Sequence, residues 1–396
     1  MLARFTGRTR GGSKSQQFEG HSGGHCNRPL RSSRMSRVFL LLCLSGAQLL
    51  QPECGSTREQ LRVQQPGKER RKPTGALEKL FQQFVTEHDR NYKPGSPRFI
   101  QTYRVFQESI QRHYTMNLIS SNLSNESDSA VYGINQFSDI SPEVFRATYL
   151  GSRSVPLPKY MSFLKDSKKP ALPAKFNWRD KNVVTPVRNQ ETCGGCWAFS
   201  VVESIESSLA IKRGQLKMLS AQQVIDCSYK DAGCNGGSPI SALKWLNESK
   251  TKLMEESVYP FIAKTGICHY FPKSAFGVSI RSYRAYSFRY NEEELMQKLL
   301  EWGPLVAVVD AVSWQDYLGG IIQHHCSHEE PNHAVVITGY DRTGDIPYWI
   351  VRNSWGARWG INGYVYIKMG RNICGKFSVW FIKKLSIIWG IYIDEF

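Results

Sequence analysis

No apolar run in this chain of 396 residues is long enough to cross a bilayer as a helix. The runs at 38–44 and 385–393 fall well short of the roughly 20 residues that a span needs, and Lys383 and Lys384 stand just ahead of the second. The sequence has no Gly-rich loop of the phosphate-cradling kind and no internal repeat, which argues against nucleotide-binding and solenoid architectures. Acidic residues are the scarcer sign, 34 against 51 Lys and Arg, for a net charge of +17. That imbalance would suggest a polyanionic partner if it were spread evenly. It is not: up to residue 170 there are 26 Lys and Arg against 13 Asp and Glu, and beyond it 25 against 21. The later region therefore needs no nucleic acid, and clusters such as "KERRK" at 68–72 read as solvated or cleavable.

What is present is globular. Hydrophobic residues make up 41% and aromatics 12%, enough for a sizeable core, and the length allows two domains or an enzyme with an appended segment. Ten cysteines fall into two sets. Cys26, Cys43 and Cys54 lie near the start; Cys193, Cys196, Cys227, Cys234, Cys268, Cys326 and Cys374 lie in the second half. Seven is odd, so three bridges would leave one thiol to be explained.

Arg31, Arg34 and Arg37 precede the apolar run at 38–44, and the small residues Ser45 and Ala47 follow it. That is a secretory signal pattern over 35–55, with Met35 as the expected functional start and a Gly/Ser/Arg-rich, disordered extension over 1–34. Entry into an oxidising compartment permits disulfides, and Asn122, Asn125 and Asn247 stand in Asn-x-Ser glycosylation triplets. From 76 to 150 the pattern is charged and helical, with Leu77, Leu80, Phe81 and Phe84 on one face. A Lys/Pro/Ser-rich stretch over 152–173 reads as an exposed linker. Helical spacing follows Cys196 (Ala198, Val201, Val202, Ile205, Leu209) and recurs at 221–225 and 239–246. After Gly277 the runs "VAVVDA", "HAVVITGY", "YWIVRNSW" and "YVYIKM" are β-like. A helical half and a β half with a cleft between them are expected.

The segment "NQETCGGCWAFS" raises the question of which cysteine is chemical. A zinc clip of Cys193, Cys196 and "QHHC" (His324, His325, Cys326) has enough ligands, but Cys196 opens an apolar helix rather than a ligand turn. A thioredoxin-type redox pair expects a preceding strand in a βαβ unit, which "VVTPVRNQET" does not supply. A nucleophile fits better. The positive end of a helix stabilises a thiolate at Cys196, His333 can serve as its base, and the Asn353 amide can orient the imidazole. A thiol pKa below the ordinary range is expected on this reading.

"CGGCWAFS", "NWRDKNVVTPVRNQ", "CNGGSPI", "NHAVVITGY" and "NSWGARWGINGY" together resemble the papain family of cysteine peptidases, with Gly195 where that signature has Ser or Ala. The resemblance covers roughly 81–375. It implies an α+β, two-domain papain-like fold, with a helical domain over 171–276 and a β-barrel-like domain over 277–375. It also implies a cysteine endopeptidase without metal or cofactor, working through an acyl-enzyme. Cys196 would be the nucleophile, His333 the base and acid, Asn353 the orienter and Trp355 its shield, with Gln190 a side-chain oxyanion donor. Gly236 and Gly237 would pair with the substrate backbone, and Ala311, Asn332 and Ala334 would surround the main specificity pocket. The family's bridges carry over as Cys193–Cys234, Cys227–Cys268 and Cys326–Cys374. Gly133, Asn135, Phe137 and Asp139 fit the family's prosegment motif, continued by Glu143 and Phe145, which makes 56–170 an inhibitory prosegment lying backwards through the cleft. The upstream helical signature is partial: Val105, Phe106 and Asn117 fit, while Ser109 stands in place of Asn. Peptide and protein substrates, cystatin-type inhibitors, a monomer, and a lysosomal or extracellular destination follow from the same resemblance.

After Gly375 the chain departs from the family pattern in "KFSVWFIKKLSIIWGIYIDEF". This tail at 376–396 is expected to be an abnormal terminus and a solubility liability; if it docks, Phe377 or Val379 would replace the usual pocket floor. An alternative function follows from it: a non-catalytic inhibitory or binding protein whose own site is silenced by a misfolded end.

Overall fold

The computed structural model describes residues 75–123, 128–153, 155, 157, 171–272, 276–288, 291–326, 330–370, 373–374 and 378–388. The expected extension at 1–34, the signal at 35–55, Cys26, Cys43, Cys54, Asn125, the linker interior and the side chains of Phe377 and Val379 lie outside the described residues.

The described part of the expected prosegment opens with two helices, α1 (Gly75–Glu87) and α2 (Pro97–Leu123). Phe81 and Phe84 from α1 meet Tyr103 and Phe106 from α2 in a small aromatic core of their own. Asn117 closes the far end of α2 by bonding both the N–H and the C=O of Tyr132 in strand β1 (Val131–Tyr132). Helix α3 (Pro142–Tyr149) starts at Ser141, whose hydroxyl caps Val144 N–H, with Pro142 at the position where a missing donor costs nothing.

The region expected to be the mature enzyme opens with β2 (Lys175–Asn177) and then α4 (Cys196–Arg213). Every side chain of α4 from Cys196 to Ala210 is buried, so it is a central helix enclosed on all sides rather than an amphipathic surface one. Its two buried acids are paired, Glu203 with Arg352 at 3.0 Å and Glu206 with Arg188 at 2.9 Å. Gly214 ends it in the left-handed conformation that suits glycine. Helices α5 (Ala221–Cys227) and α6 (Pro239–Ser249) pack with it around an apolar cluster.

The β half holds β3 (Gly277–Ser287), α7 (Glu292–Trp302), β4 (Leu305–Val309), β5 (Tyr317–Gly319), β6 (Ile321–Ile322), β7 (His333–Asp341), β8 (Tyr348–Arg352), β9 (Tyr364–Lys368) and β10 (Ser378–Ile388). The main sheet runs β3-β10-β4-β7-β8-β9-β6, with β2 added to β7. The first strand of the catalytic region thus belongs spatially to the β half, where Phe176 and Trp178 pack on its core. Helix α7 interrupts what reads in sequence as a β region; Asn291 caps Glu294 N–H, and Leu295, Met296 and Leu299 face inward. In a second small sheet, β1 of the prosegment pairs antiparallel with β5.

Two expectations are corrected here. The tail docks: Ser378, Val379 and Trp380 pair with both β3 and β4, and the strand continues along β3 to Ile388. Backbone donors and acceptors of β3 and β4 find partners in this way, a gain the side-chain pattern of the tail does not display. The linker also begins later than composition suggests, because Ser152 is buried and its N–H donates to Asn332 O at 2.9 Å.

Candidate active site

Disulfides join Cys193 to Cys234, Cys227 to Cys268 and Cys326 to Cys374, and Cys196 is the free cysteine among the described residues. Cys193 and Cys326, which a zinc clip would need, are each spent in a bridge. Among the described residues no group of His, Cys, Asp and Glu is arranged to hold a metal ion, and no helix is long and apolar enough to cross a membrane.

Cys196 is the first residue of α4, fully buried at the helix N-terminus. His333 begins β7, and its Nε2 lies 2.7 Å from Asn353 Oδ1. The same oxygen accepts the Ser354 N–H at 2.8 Å, which identifies it as the amide oxygen. Nε2 must therefore carry the proton, leaving Nδ1 as the ring's lone-pair nitrogen. That Nδ1 is buried and makes no well-aligned hydrogen bond among the described residues, although the Tyr149 backbone lies near enough to the ring to act on it. The Trp355 ring lies over the imidazole with centroids 4.7 Å apart, and Trp314 meets it edge-on at 6.2 Å.

Gln190 is fixed at both ends of its amide. Its Oε1 accepts the Ser354 hydroxyl at 2.6 Å, and its Nε2 donates to Cys193 O at 2.9 Å and Tyr149 O at 3.1 Å. The prosegment thus delivers a backbone carbonyl to the amide expected to bind an oxyanion. It continues across the cleft beside Gly237: Gly237 N–H donates to Gly151 O at 2.9 Å, and Arg153 N–H to Gly237 O at 2.8 Å, in a parallel bridge centred on Ser152. The approach is close enough that a Cβ on Gly151 would lie 2.1 Å from Gly194 O, and one on Gly236 would lie 2.5 Å from Gly151 O. Asn332 accepts the Ala311 N–H and donates to Asp310, while Ala334 lies buried against the cluster that contains Cys196.

Electrostatics overturn one expectation. Burial pushes the Cys196 thiol up to about 11, although the N–H groups of Ala334, Gly151, Trp197 and Cys196 itself act in the opposite direction. Burial also lowers His333 to about 4, against the pull of Asn353 and the Tyr149 backbone. With the prosegment in place, loss of solvent outweighs the helix end, and both groups rest neutral at pH 7. The low-pKa thiol expected from sequence is not the state of the covered site.

Gly133, Asn135, Phe137 and Phe145 of the expected prosegment motif contact the region beyond residue 171, whereas Asp139 bonds within the segment, to Arg90 and Tyr92. Gly133 N–H donates to Asp316 O, and Asn135 Nδ2 donates to Gln315 O at 2.8 Å. Phe137 and Phe145 pack edge-on against Trp355, and Asp139 pairs with Arg90 at 2.8 Å and accepts Tyr92 OH at 2.6 Å. Of the glycosylation triplets, Asn122 is exposed at the end of α2 and Asn247 is half-buried in α6. Sequence reasoning missed Tyr149, Gly151, Ser354 and Trp314. None carries a motif of its own; each matters through what the fold brings beside it.

The description "Papain family cysteine protease" matches residues 172–381. The chain is 57% identical over 272 residues to cathepsin O of Homo sapiens, a match covering 68% of this chain and 84% of that protein. Cathepsin O of Mus musculus is 56% identical over 275 residues, covering 68% and 86%. Among solved structures, a recombinant stem bromelain precursor superposes with a TM-score of 0.67 at 34% identity, over 78% of this chain and 98% of the other. Digestive procathepsin L 3 of Tenebrio molitor larval midgut gives a TM-score of 0.66 at 30% identity, over 77% and 98%.

Proposed function

The chain belongs to the papain family of cysteine proteases, and from that premise we propose that it is an endopeptidase made as a zymogen, with Cys196 as nucleophile. Once the cleft is cleared, water and the helix end favour the thiolate, and the proton passes from sulfur to His333 Nδ1. The thiolate attacks a peptide carbonyl. The oxygen that becomes negative is held by the Gln190 amide and the Cys196 backbone N–H. His333 then gives its proton to the leaving amine, and a thioester joins the acyl group to Cys196. Water, deprotonated by His333, attacks the thioester; the acid departs and the thiol is restored. Asn353 holds the ring in the tautomer this cycle needs, and Trp355 keeps water from that bond.

The observation that carries this reading is the free Cys196 at the start of α4, with the oriented His333–Asn353 pair and Gln190 gathered at the same cleft. The reading as a silenced inhibitor needs a tail that fails to dock, whereas β10 pairs with both β3 and β4. The prosegment occupies Gln190 and Gly237 with its own backbone, which supports inhibition until it is removed. Substrate backbone would take the place of 149–153 along Gly236 and Gly237, with Ala311, Asn332 and Ala334 around the side chain it reads. Maturation near Ala171 or Leu172 would leave an anchored end, since Arg342 donates to Leu172 O and Pro173 O and Tyr340 OH donates to Pro173 O. The signal pattern and the Asn-x-Ser sites support a route through the secretory pathway to the lysosome or outside the cell. A monomer open to cystatin-type inhibitors completes the proposal.

The test is Cys196→Ser in the full chain, followed by acid treatment and assay on a peptide substrate. A folded protein without turnover is expected. Retained hydrolysis would remove Cys196 from the mechanism.

A further inference from the structure

The regular pairing of β4 with β7 ends at Val309 opposite His333. One step further a side-chain clamp takes over. Asn332 N–H donates to Val309 O at 2.9 Å, Asn332 Oδ1 accepts the Ala311 N–H at 3.0 Å, and Asn332 Nδ2 donates to Asp310 Oδ1 at 3.0 Å. Nδ2 also reaches Glu330 O at 3.4 Å. Asp310 is buried. Its Oδ1 accepts the Val312 N–H at 3.3 Å as well, and its own N–H donates at 2.7 Å to the carbonyl of Cys374, which the disulfide ties to Cys326.

A carboxylate oxygen accepts, so Asp310 faces the NH2 of the Asn332 amide and leaves the amide oxygen to Ala311. Turning the amide over would set oxygen against oxygen at Asp310 and N–H against N–H at Ala311, so the orientation is fixed from both sides. Pro331, just before Asn332, has no N–H with which to anchor the chain there. The anchoring falls to the Asn332 side chain. What it holds is the Asn332 carbonyl, which accepts the Ser152 N–H at 2.9 Å and shares a peptide plane with the His333 N–H.

We propose that Asp310 is a positioning residue: through the Asn332 side chain it aims the Asn332 carbonyl at a backbone N–H lying in the cleft. It touches no reacting atom. In the covered site that N–H belongs to Ser152. Once substrate backbone replaces 149–153, it is the substrate N–H nearest the scissile carbonyl, because the acceptor stands one residue from His333. Only this action on substrate rests on the endopeptidase reading. The ring of His333 is oriented separately, by Asn353, so Asp310 governs the reach of the carbonyl and not the tautomer of the base.

The first measurement needs no peptidase activity. In the full chain carrying Cys196→Ser, hydrogen exchange is resolved at the Ser152 amide, bonded to Asn332 O, and at the Arg153 amide, bonded to Gly237 O. Asp310→Ala should lower protection at Ser152 by roughly tenfold, the scale of one hydrogen bond, and leave Arg153 within about twofold. Asn332→Asp sets a second carboxylate against Asp310 and should do the same. Adding Asp310→Asn to it restores a donor facing an acceptor, in reverse, and should return the protection. The second measurement uses acid-processed enzyme on two peptides, one of which carries an ester oxygen in place of that substrate N–H. Asp310→Ala should lower kcat/KM by about tenfold on the amide peptide and by less than about twofold on the ester, whereas a merely loosened fold lowers both alike. Unchanged protection at Ser152, or a reversed pair no better than Asn332→Asp, overturns the clamp, and equal losses on the two peptides overturn its action on substrate. If Asp310→Ala does not fold, the reversed pair decides. An inactive processed natural chain would sink the endopeptidase reading and leave Asp310 to the exchange measurement.

Discussion

Gln190 donates its amide N–H to the Tyr149 carbonyl at 3.1 Å, so a catalytic-domain side chain is occupied by the backbone of the segment that covers it. On the proposed roles, the same contact would link the means of inhibition with the means of catalysis. Removing the side chain should affect both. In the matured enzyme, Gln190→Ala is expected to lower kcat by about 10²–10³ with little change in folding, because one oxyanion donor is lost. Ser354→Ala frees the far end of the amide and should give a smaller loss in the same direction. Steady-state kinetics of the two variants check this; equal or absent effects would separate Gln190 from the oxyanion.

The pH behaviour of the zymogen follows from His333. Its folded value near 4 lies below the ordinary imidazole value, so the unfolded or opened chain binds more protons between about pH 6.5 and 4. Stability present above that window is lost as the pH falls through it. The zymogen's melting temperature should therefore drop across this range, and His333→Ala should flatten the drop. Asp316, held below the usual carboxylate range, loses its contribution only at lower pH still.

The covered thiol gives a complementary measurement. With Cys196 pushed up to about 11, the zymogen holds almost no thiolate at neutral pH. Removal of the prosegment should raise its alkylation rate at pH 7 by more than about tenfold. A rate that does not change on processing would mean that burial is not what keeps the thiol neutral.

Gly151 is the most closely approached glycine among the described residues of the expected prosegment. A Cβ there would lie 2.1 Å from Gly194 O, and that neighbour is backbone, with no flexible end to move aside. Gly151→Ala should push the segment out of the cleft, so that processing occurs at a less acidic pH than in the natural chain. The pH at which half the zymogen is processed, read from gels, decides it.

The tail yields a prediction opposite to the one its composition suggests. Truncation after Gly375 removes β10 and leaves the facing edges of β3 and β4 without their ladder. Soluble yield should fall and the remaining protein should aggregate through those edges. Improved solubility with unchanged peptidase activity would show that the strand is dispensable.

Local chemistry was legible in the sequence. The Cys193–Cys196 turn opening an apolar helix, His333 ahead of a β run, and the prosegment signature at 133–139 are short patterns, and each declares its chemistry through its immediate neighbours. The helices α4, α5 and α6 were legible for the same reason, since 3.6-residue periodicity is local. What required the tertiary structure is whatever depends on proximity between distant segments. Ser354 fixes Gln190, and His113 finds Asp316, across 164 and 203 residues; no periodicity encodes such a meeting. The tail pairs as a strand because β3 offers an edge along its length and β4 a second one to Ser378, Val379 and Trp380, a meeting that no alternation in the tail announces. The thiol is raised rather than lowered because burial by the prosegment outweighs a helix terminus, and burial is a property of the assembled fold. Sequence thus nominated the groups proposed to do chemistry, and the fold decided their protonation, their partners and what covers them.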